Sequence, residues 1–295
     1  MTAQLVSILM PTLNQAEFIA AAIQSVLSQS CENLELIIMD GGSSDATASI
    51  VGELAVKDTR IRFYSQADSG PAQALNRALM QARGTVIGWL NSDDLYVEGA
   101  VGSALAFLDT NPDVLMVYGD GEHVDKAGVP FERYPTLPAN TPISAFSQGC
   151  FICQPTVFFR RTMTLLLGQF DESLKCSFDF EYWLRAFKAF PDRIGYLNRV
   201  QAQTRFYEGT ITMKQRRSVA LEGVQVLHRH LGEAPKEWLL TYANELLANP
   251  ELKAGAGNLE EHFDKFLQEA SVWITPQELA LARSQISKLL LTHQT

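Results

Sequence analysis

The sequence predicts an α/β fold in which helices flank a mainly parallel central sheet, followed by a helical extension at the C-terminus. Over the first 118 residues, short runs rich in Val, Ile and Leu alternate with helical patterns, which indicates strands buried on both faces. The alternation stops after Gly119, and from about Thr212 apolar residues recur at helical spacing. We therefore expect one domain over residues 1–211, with halves at 1–118 and 119–211, and a helical segment over 212–295.

The first half contains a series of strand candidates, each separated from the next by a helix candidate. The strands are Leu5–Met10, Leu34–Met39, Ile61–Tyr64, Thr85–Leu90 and Val114–Tyr118. The helices are Ala16–Gln29, a helix from about Asp45, Pro71–Gln81 and Gly99–Leu108. Strand–helix repetition joins parallel strands through right-handed crossovers, so these strands should share one sheet with helices on both faces.

The second half is less regular. Its elements are a hairpin over Val124–Tyr134 around Lys126-Ala127-Gly128, a Pro-rich loop over Tyr134–Pro142, a strand over Thr156–Arg160, a helix over Asp179–Phe190 and a strand over Ile194–Phe206. In the C-terminal segment, the last helix begins at Thr275-Pro276-Gln277-Glu278. Thr275 is placed as the N-cap and Pro276 as the first helical residue. Glu278 is placed so that its carboxylate can accept from the Thr275 backbone N–H.

Composition and charge limit the classes of partner. Hydrophobic residues make up 46% and charged residues 19% of the chain, as in ordinary globular proteins. The formal net charge is -9 and no basic stripe dominates, which excludes a broad nucleic-acid interface. An acidic chain that handles an anionic substrate needs local positive charge from a metal ion, a helix N-terminus or a few arginines.

The sequence also predicts a cellular location. It has no signal-type N-terminus and no apolar stretch long enough to span a bilayer, so we expect a cytoplasmic protein. Cys31, Cys150, Cys153 and Cys176 fit reduced thiols, because the metal-type spacing of Cys150 and Cys153 has no second pair to complete a zinc site. A basic stretch over Lys214–His230 leaves open a peripheral contact with the inner face of a membrane, although a solvated helix face is the simpler interpretation.

Three polar clusters follow successive predicted strands: Pro11-Thr12-Leu13-Asn14, Asp40-Gly41-Gly42-Ser43-Ser44-Asp45 and Asn91-Ser92-Asp93-Asp94. The carboxyl ends of parallel strands share one edge of a sheet, so the clusters should converge. Carboxylate and amide oxygens there suit a hard divalent cation, which typically bridges a protein to phosphate oxygens. A local interpretation stays open, because Asn14 and Asp45 also lie where helix N-caps are expected.

Several other functional classes are excluded by pattern. No strand leads into G-x-x-x-x-G-K-[ST], and no G-x-G-x-x-G opens a helix near the first strand, which argues against P-loop ATPases and Rossmann dehydrogenases. No G-x-S-x-G nucleophile elbow is present. A nucleotidyltransferase would carry a Gly-rich basic signature after its first strand, and Pro11-Thr12-Leu13-Asn14 is not one.

These residues, in this order and spacing, resemble the family 2 glycosyltransferases over roughly Val6–Thr212. The resemblance is carried by Val6–Asn14, Ser25–Gln29, Leu36–Thr47, Asn76–Leu79, Gly84, Trp89–Asp94, Gln154–Arg161, Phe170–Leu174 and Phe178–Arg185. It implies the GT-A (nucleotide-diphospho-sugar transferase) fold and an inverting displacement on a nucleotide-sugar, of the bacterial cell-surface polysaccharide type. Residues 1–118 would then be the nucleotide-binding half, and residues 119–211 the acceptor and catalytic half.

The resemblance also implies roles for individual residues. It assigns nucleotide-sugar binding to Pro11, Thr12, Asn14, Glu17, Asp40, Ser43, Arg77, Asn91, Ser92, Asp94 and Arg205. Asp40 would accept hydrogen bonds from the base, as in uridine-using relatives. Asp93 would hold Mn²⁺ or Mg²⁺ against the diphosphate, with Asp94 near the donor sugar and Arg205 near phosphate.

Asp179 matches the family's acceptor-activating carboxylate, a general base of the kind that contributes about 10²–10⁴-fold to a rate. The alternative is that Asp179 only caps the helix that follows. We expect Glu181 to face elsewhere on that helix and Trp183 to belong to the core.

Two departures from the family pattern leave metal dependence open. Asn91 replaces the first D-x-D carboxylate, and Tyr207 stands where relatives often carry a His that helps to bind metal or diphosphate. The expected partners are a nucleotide-sugar donor and a glycan or lipid-linked acceptor, with a homo-oligomer left open. The two departures also keep a second class open, a non-catalytic nucleotide-sugar-binding relative that acts through a partner.

Overall fold

The protein is described by a computed structural model that covers residues 4–292. Its chain forms two compact units. The first contains the chain up to Thr141 together with Phe151–Glu208, and the second contains Pro142–Cys150 and the chain from Gly209. The predicted boundary at 211/212 lies three residues from this division, but the prediction did not separate residues 142–150 from the first domain.

The first unit is built on one mixed sheet. Its strands are β1 (Val6–Thr12), β2 (Leu34–Asp40), β3 (Ile61–Ser65), β4 (Val86–Trp89), β5 (Leu95–Tyr96), β6 (Met116–Val124), β7 (Pro130–Arg133), β8 (Phe158–Arg160) and β9 (Ile194–Arg205). The order is β3-β2-β1-β4-β8-β6-β9-β5, with β7 paired to β6. Strands β3, β2, β1 and β4 are parallel, as predicted, whereas β8 enters antiparallel between β4 and β6.

The first unit also contains helices that pack on this sheet. They are α1 (Ile19–Leu27), α2 (Thr47–Lys57), α3 (Pro71–Gln81), α4 (Ala100–Thr110), α5 (Arg161–Leu167) and α6 (Phe178–Ala189). Every residue of β1, β2 and β4 is buried, which is why their sequences read as continuous apolar runs. Helix α3 has the predicted bounds, because Gly70 at φ 142° ends the preceding loop and Pro71 starts the helix.

Several elements differ from the prediction. Strand β6 continues to Val124, past Gly119, because it pairs with β9 along its length and then turns into β7. Gln154–Thr156 forms a 3₁₀ turn, so β8 begins only at Phe158. Strand β5 was missed, since two residues carry no periodicity that a sequence pattern could reveal.

The second unit is helical. A 3₁₀ turn over Ile143–Ser147 is followed by α7 (Ile211–Lys214), α8 (Arg216–Leu231), α9 (Glu237–Ala248), α10 (Pro250–Ala256), α11 (Leu259–Ala270) and α12 (Pro276–Thr292). Its core contains apolar side chains that recur at helical spacing, among them Tyr242, Leu246, Phe263, Phe266 and Leu267. Within residues 4–292, no helix has the length and apolar character needed to cross a bilayer.

One prediction about side chains in this unit needs correction, and a second feature bears on the basic stretch. The capping box at α12 is only half formed: Thr275 Oγ1 accepts from the Glu278 backbone N–H at 3.3 Å, but the Glu278 carboxylate accepts from the Lys236 backbone N–H instead. In α8, Arg216 pairs with Glu245 and Arg217 pairs with Glu269, so part of the basic stretch is neutralised within the unit. These ion pairs weaken the case for a membrane-binding face.

Candidate functional site

The ends of β1 and β2 are joined by hydrogen bonds. The Asn14 backbone N–H donates to Ser43 Oγ at 2.8 Å, and the Ser44 backbone N–H donates to Asn14 Oδ1 at 2.8 Å. Asn14 has φ 53°, a left-handed conformation that Asn tolerates better than most residues. Its side chain therefore ties two loops together and does not cap α1, whose N-cap residue is Phe18.

Asp45 has a similar bridging role. Its carboxylate accepts from the Thr47 backbone N–H at 2.9 Å and from the Ala16 backbone N–H at 3.1 Å. The N-cap residue of α2 is Ala46, which makes no side-chain capping bond. The first two polar clusters thus form one hydrogen-bonded unit rather than two separate helix caps.

Asp40 lies at the end of β2 and is turned into this unit. It is 1% exposed, and its carboxylate accepts from the Ser43 hydroxyl at 2.5 Å, the Ser43 backbone N–H at 3.1 Å and the Ser65 hydroxyl at 2.6 Å. Each of its two oxygens already has a partner within the chain. The expected contact between the Asp40 carboxylate and a base thus competes with bonds that hold the loop.

A cavity of about 300 Å³ lies beside Asp40. Its lining residues are Met39, Asp40, Tyr64, Gln66, Asp68, Ala74, Arg77, Met80 and Gln81. Arg77 Nη1 donates to the backbone carbonyl oxygens of Ala67 at 3.0 Å and Gln66 at 3.4 Å, which holds the guanidinium in the cavity wall.

Asp68 is a residue of this cavity that the sequence analysis missed. Burial raises its pKa, and its Oδ1 accepts from the Gly70 backbone N–H at 2.9 Å. A Cβ on Gly41 would lie 2.8 Å from Asp68 Oδ2, so the glycine permits this close approach. The D-x-G spacing of Asp68 and Gly70 before the helix-starting Pro71 is the signal that could have pointed to it.

The third cluster begins directly after β4. Trp89 Nε1 donates to Asn91 Oδ1 at 2.9 Å, while Asn91 Nδ2 donates to Gln154 Oε1 at 2.9 Å and to Asp94 Oδ2 at 3.2 Å. Ser92 is 3% exposed. Gln154, which the sequence analysis treated only as part of a family motif, is therefore a member of this site.

Asp94 faces the protein interior. It is 2% exposed, and its Oδ1 accepts from the Arg205 backbone N–H at 2.9 Å. Burial, and then the neighbouring Asp93 charge, raise the pKa of Asp94 to about 8. We expected Asp94 near a donor sugar; its contacts instead make it an anchor between the turn and the end of β9.

Asp93 connects the third cluster to the first. Tyr207 hydrogen-bonds Asp93 and also Gln15, and the Tyr207 ring packs 5.2 Å from the Phe18 ring. Burial raises the pKa of Asp93, while Arg205 and the Tyr207 hydroxyl oppose that shift. The three polar clusters therefore meet at one edge of the sheet, as predicted.

Arg205 lies beneath the tip of the β6–β7 hairpin. It is 8% exposed, its guanidinium lies 4.7 Å from the centre of the Phe18 ring, and its Nη1 donates to the Lys126 carbonyl at 2.8 Å. Lys126 also pairs with the exposed Glu17 at 3.0 Å. The predicted contact between Arg205 and phosphate is less favourable, because the side chain is buried and already donates to a backbone carbonyl.

Asp179 lies in the first turn of α6 and is partly exposed. The preceding residue, Phe178, stacks on Trp89 with ring centres 5.4 Å apart, which brings this turn to the end of β4. Glu181 is 3% exposed and pairs with Arg185 at 2.7 Å, and Trp183 is fully buried. The predictions for Glu181 and Trp183 are confirmed.

The residues at this edge can hold a divalent cation only with help from a ligand. Over residues 4–292, no group of three or more His, Cys, Asp or Glu side chains is arranged to hold a metal ion. Mg²⁺ is commonly bound through one or two carboxylates together with substrate phosphates and water. Asp93 fits that mode. The described residues do not bring together the three or more ligands that a preformed protein site would need.

Comparison with known proteins gives the family. The model of "Glycosyl transferase family 2" matches residues 7–165, more than half of the chain. The chain belongs to glycosyl transferase family 2. The matched region includes all three polar clusters and Gln154.

The relatives of this family 2 chain include an uncharacterized glycosyltransferase of Rickettsia typhi, 32% identical over 61% of this chain and 58% of the relative. They also include the chondroitin synthase of Escherichia coli, 29% identical over 66% of this chain and 28% of that protein. The chain thus matches well under two thirds of the length of either relative.

Solved structures show the same GT-A fold. S. aureus TarS 1–349 in complex with UDP-GlcNAc superposes with a TM-score of 0.63 at 19% identity, over 96% of this chain and 88% of that one. The mannosyltransferase PcManGT from Pyrobaculum calidifontis, in complex with GDP-Man and Mn²⁺, gives a TM-score of 0.60 at 19% identity, over 97% and 81%. The predicted fold class is confirmed.

Proposed function

We propose that this family 2 protein is an inverting glycosyltransferase that moves a sugar from a nucleotide-diphosphate donor to a hydroxyl acceptor in polysaccharide or glycan synthesis. The observation that carries the proposal is that Tyr207 hydrogen-bonds both Asp93 and Gln15. These bonds connect the Asp93 turn with the loop that follows β1. It creates one polar edge, next to the turn that carries Asp179, in a chain whose family transfers sugars.

The donor nucleotide lies along the ends of β1 and β2 in this proposal. Thr12 is 6% exposed, and among residues 4–292 its buried hydroxyl finds no hydrogen-bond partner, which suits a group that a ligand would satisfy. The cavity beside Asp40 and Arg77 accepts the base. A uridine donor is supported by the UDP-GlcNAc complex of TarS and by the chondroitin synthase relative.

Asp93 is the proposed metal-binding residue. A bound Mn²⁺ or Mg²⁺ supplies positive charge to the departing diphosphate. The Mn²⁺ complex of PcManGT supports this cofactor, and the Asp93 carboxylate is held for it by Tyr207.

Asp179 is the proposed general base. It takes the proton from the acceptor hydroxyl, whose oxygen forms the new bond to the anomeric carbon while the bond to the diphosphate oxygen breaks on the opposite face. The stacking of Phe178 on Trp89 holds this turn beside the Asp93 loop. The acceptor is a glycan or lipid-linked hydroxyl, reached from the cytoplasmic side.

The experiment is donor turnover with a panel of nucleotide-sugars, measured as nucleoside diphosphate release with Mn²⁺. We expect Asp93→Ala and Asp179→Asn to lower the rate by about 10²-fold or more. Asp192→Asn, an exposed change just beyond α6, should retain the wild-type rate. Full activity in either active-site variant would refute the assigned roles, and donor binding without turnover by any acceptor would favour the non-catalytic alternative.

A further inference from the structure

Asn91 stands where the D-x-D pattern has its first carboxylate, and it belongs to a closed ring of hydrogen bonds. Gln154 Nε2 donates to the Trp89 backbone carbonyl at 2.9 Å. Asn91 Nδ2 donates to Gln154 Oε1 at 2.9 Å, and Trp89 Nε1 donates to Asn91 Oδ1 at 2.9 Å. The ring therefore starts and ends on Trp89.

The two hydrogen bonds at Trp89 each have a fixed direction. A backbone carbonyl only accepts, and an indole N–H only donates. Gln154 must therefore turn its nitrogen to Trp89 and its oxygen to residue 91. Residue 91 must donate to Gln154 and accept from the indole at the same time, which Asn does and an ionised Asp does not.

The remaining N–H of Asn91 is also used. Nδ2 donates to Asp94 Oδ2 at 3.2 Å, and the other oxygen of Asp94 is held by the Arg205 backbone N–H. A carboxylate at position 91 would have no N–H to donate to Asp94 Oδ2 or to the Gln154 amide oxygen. Asp94 is 2% exposed, so water would do little to replace the lost donor.

We propose that Asn91 is a positioning residue, selected as an amide to hold the Asp93-bearing turn against Trp89 and Gln154, and that it is not a weakened metal ligand. Asp93 is then the carboxylate that this turn offers to a cation. A divalent ion binds here jointly with the donor diphosphate and only weakly to the protein alone. The metal part of this inference rests on the proposed function, whereas the hydrogen-bond ring does not.

The decisive variant is Asn91→Asp, which restores the D-x-D pattern. Mn²⁺ binding is titrated by the loss of the free-ion EPR signal, on the full chain, with and without UDP. We expect no gain of Mn²⁺ affinity in the variant and a lower melting temperature. Asn198→Asp is the matched control, because it makes the same chemical change at an exposed position.

Two further variants separate positioning from general stability. Asn91→Ala and Gln154→Leu both open the ring, and Gln154→Leu does so without touching the turn. In the folded protein, each should weaken UDP-dependent Mn²⁺ binding by about tenfold or more, as removal of supporting contacts does in other metal sites. A structural role alone would lower the melting temperature and leave this affinity unchanged.

The outcomes are distinct. Tighter Mn²⁺ binding by Asn91→Asp, or a wild-type melting temperature in that variant, overturns the proposal. Unchanged UDP-dependent affinity in both Asn91→Ala and Gln154→Leu overturns the positioning role. If the wild type binds neither UDP nor GDP, the proposed function fails, while the melting temperature of Asn91→Asp still tests the ring.

Discussion

The Tyr207 hydroxyl donates a hydrogen bond to the Asp93 carboxylate, 114 residues away in the chain. Burial, followed by the Asp93 charge, raises the pKa of Tyr207 to about 12, so the hydroxyl keeps its proton and remains a donor. Tyr207, which stands where relatives often carry a His, thus orients the carboxylate that we propose as the metal-binding group.

This relationship predicts opposite effects for two substitutions. Tyr207→Phe removes the hydrogen bond and should lower metal-dependent turnover by about tenfold, as loss of an orienting partner does elsewhere. Tyr207→His places an imidazole, a better metal ligand than a protonated phenol, beside Asp93 and should lower the Mn²⁺ concentration needed for half-maximal activity. The measurement is a Mn²⁺ titration of donor turnover, and an unchanged titration in both variants would contradict the arrangement.

Glu35 provides a pH-dependent part of the stability. Burial alone would raise its pKa, but hydrogen bonds from Ser7 Oγ at 2.6 Å, the Arg83 backbone N–H at 2.7 Å and Arg62 Nη1 at 2.9 Å outweigh burial and lower the pKa to about 2. The unfolded pKa is about 4.3, so this stabilisation is complete above that value and is lost as the pH falls toward 2.

Glu35→Gln should therefore lower the free energy of unfolding at pH 7 by about 3 kcal/mol, because it removes one partner of a buried ion pair. Between pH 4.5 and 3 the variant should lose less stability than the wild type. Urea unfolding at several pH values measures both effects. Glu32→Gln is the control, because Glu32 is exposed and lies two residues before β2. It should follow the wild-type curve.

Asp40 and Asp68 should have different roles at the cavity. The Asp40 carboxylate accepts three hydrogen bonds from Ser43 and Ser65, so Asp40→Asn should cost about 1–3 kcal/mol of stability. Asp68 lines the cavity, and within residues 4–292 only its Oδ1 accepts a hydrogen bond, so we expect its Oδ2 to accept the N3–H of uracil, whereas N3 of cytosine is itself an acceptor.

Asp68→Asn should accordingly reduce the preference for UDP over CDP by about tenfold, with little change in melting temperature. Calorimetric titration with both nucleotides gives the ratio. If Asp40→Asn changes the ratio and Asp68→Asn does not, the base is read by Asp40 instead.

Gly41 controls the position of Asp68. In Gly41→Ala the new Cβ would meet Asp68 Oδ2 at 2.8 Å, so the Asp68 side chain must shift from its place in the cavity wall. We expect nucleotide affinity to fall by about tenfold while the protein stays folded. Gly52→Ala, in α2 with nothing near its Cβ, should bind normally and gain up to about 1 kcal/mol of stability.

Most strands and helices of the first unit could be predicted because burial on both sheet faces imposes long apolar runs, and α3 was predicted with its observed bounds. Strand β5 could not, since its two residues show no periodicity and pair antiparallel with β9, which lies about 100 residues further along the chain. The convergence of the three polar clusters followed from the parallel order of β1, β2 and β4.

The roles of adjacent carboxylates could not be predicted from the sequence. Asp93 and Asp94 are chemically identical neighbours, and the difference between them is created by the Arg205 backbone N–H, 111 residues further along the chain. Asp40 poses the same problem, because Ser65, which occupies one of its oxygens, comes from a different strand. Local patterns locate such a site but do not reveal which oxygens remain open.

The position of Arg205 has a consequence for engineering. The Arg205 backbone N–H donates to Asp94. Its guanidinium lies over the Phe18 ring and donates to the backbone carbonyl of Lys126 at the hairpin tip. A hairpin transplanted from another family member would leave this cation without its carbonyl acceptor unless the end of β9 came with it. Chimeras that replace this hairpin should therefore exchange it together with the end of β9.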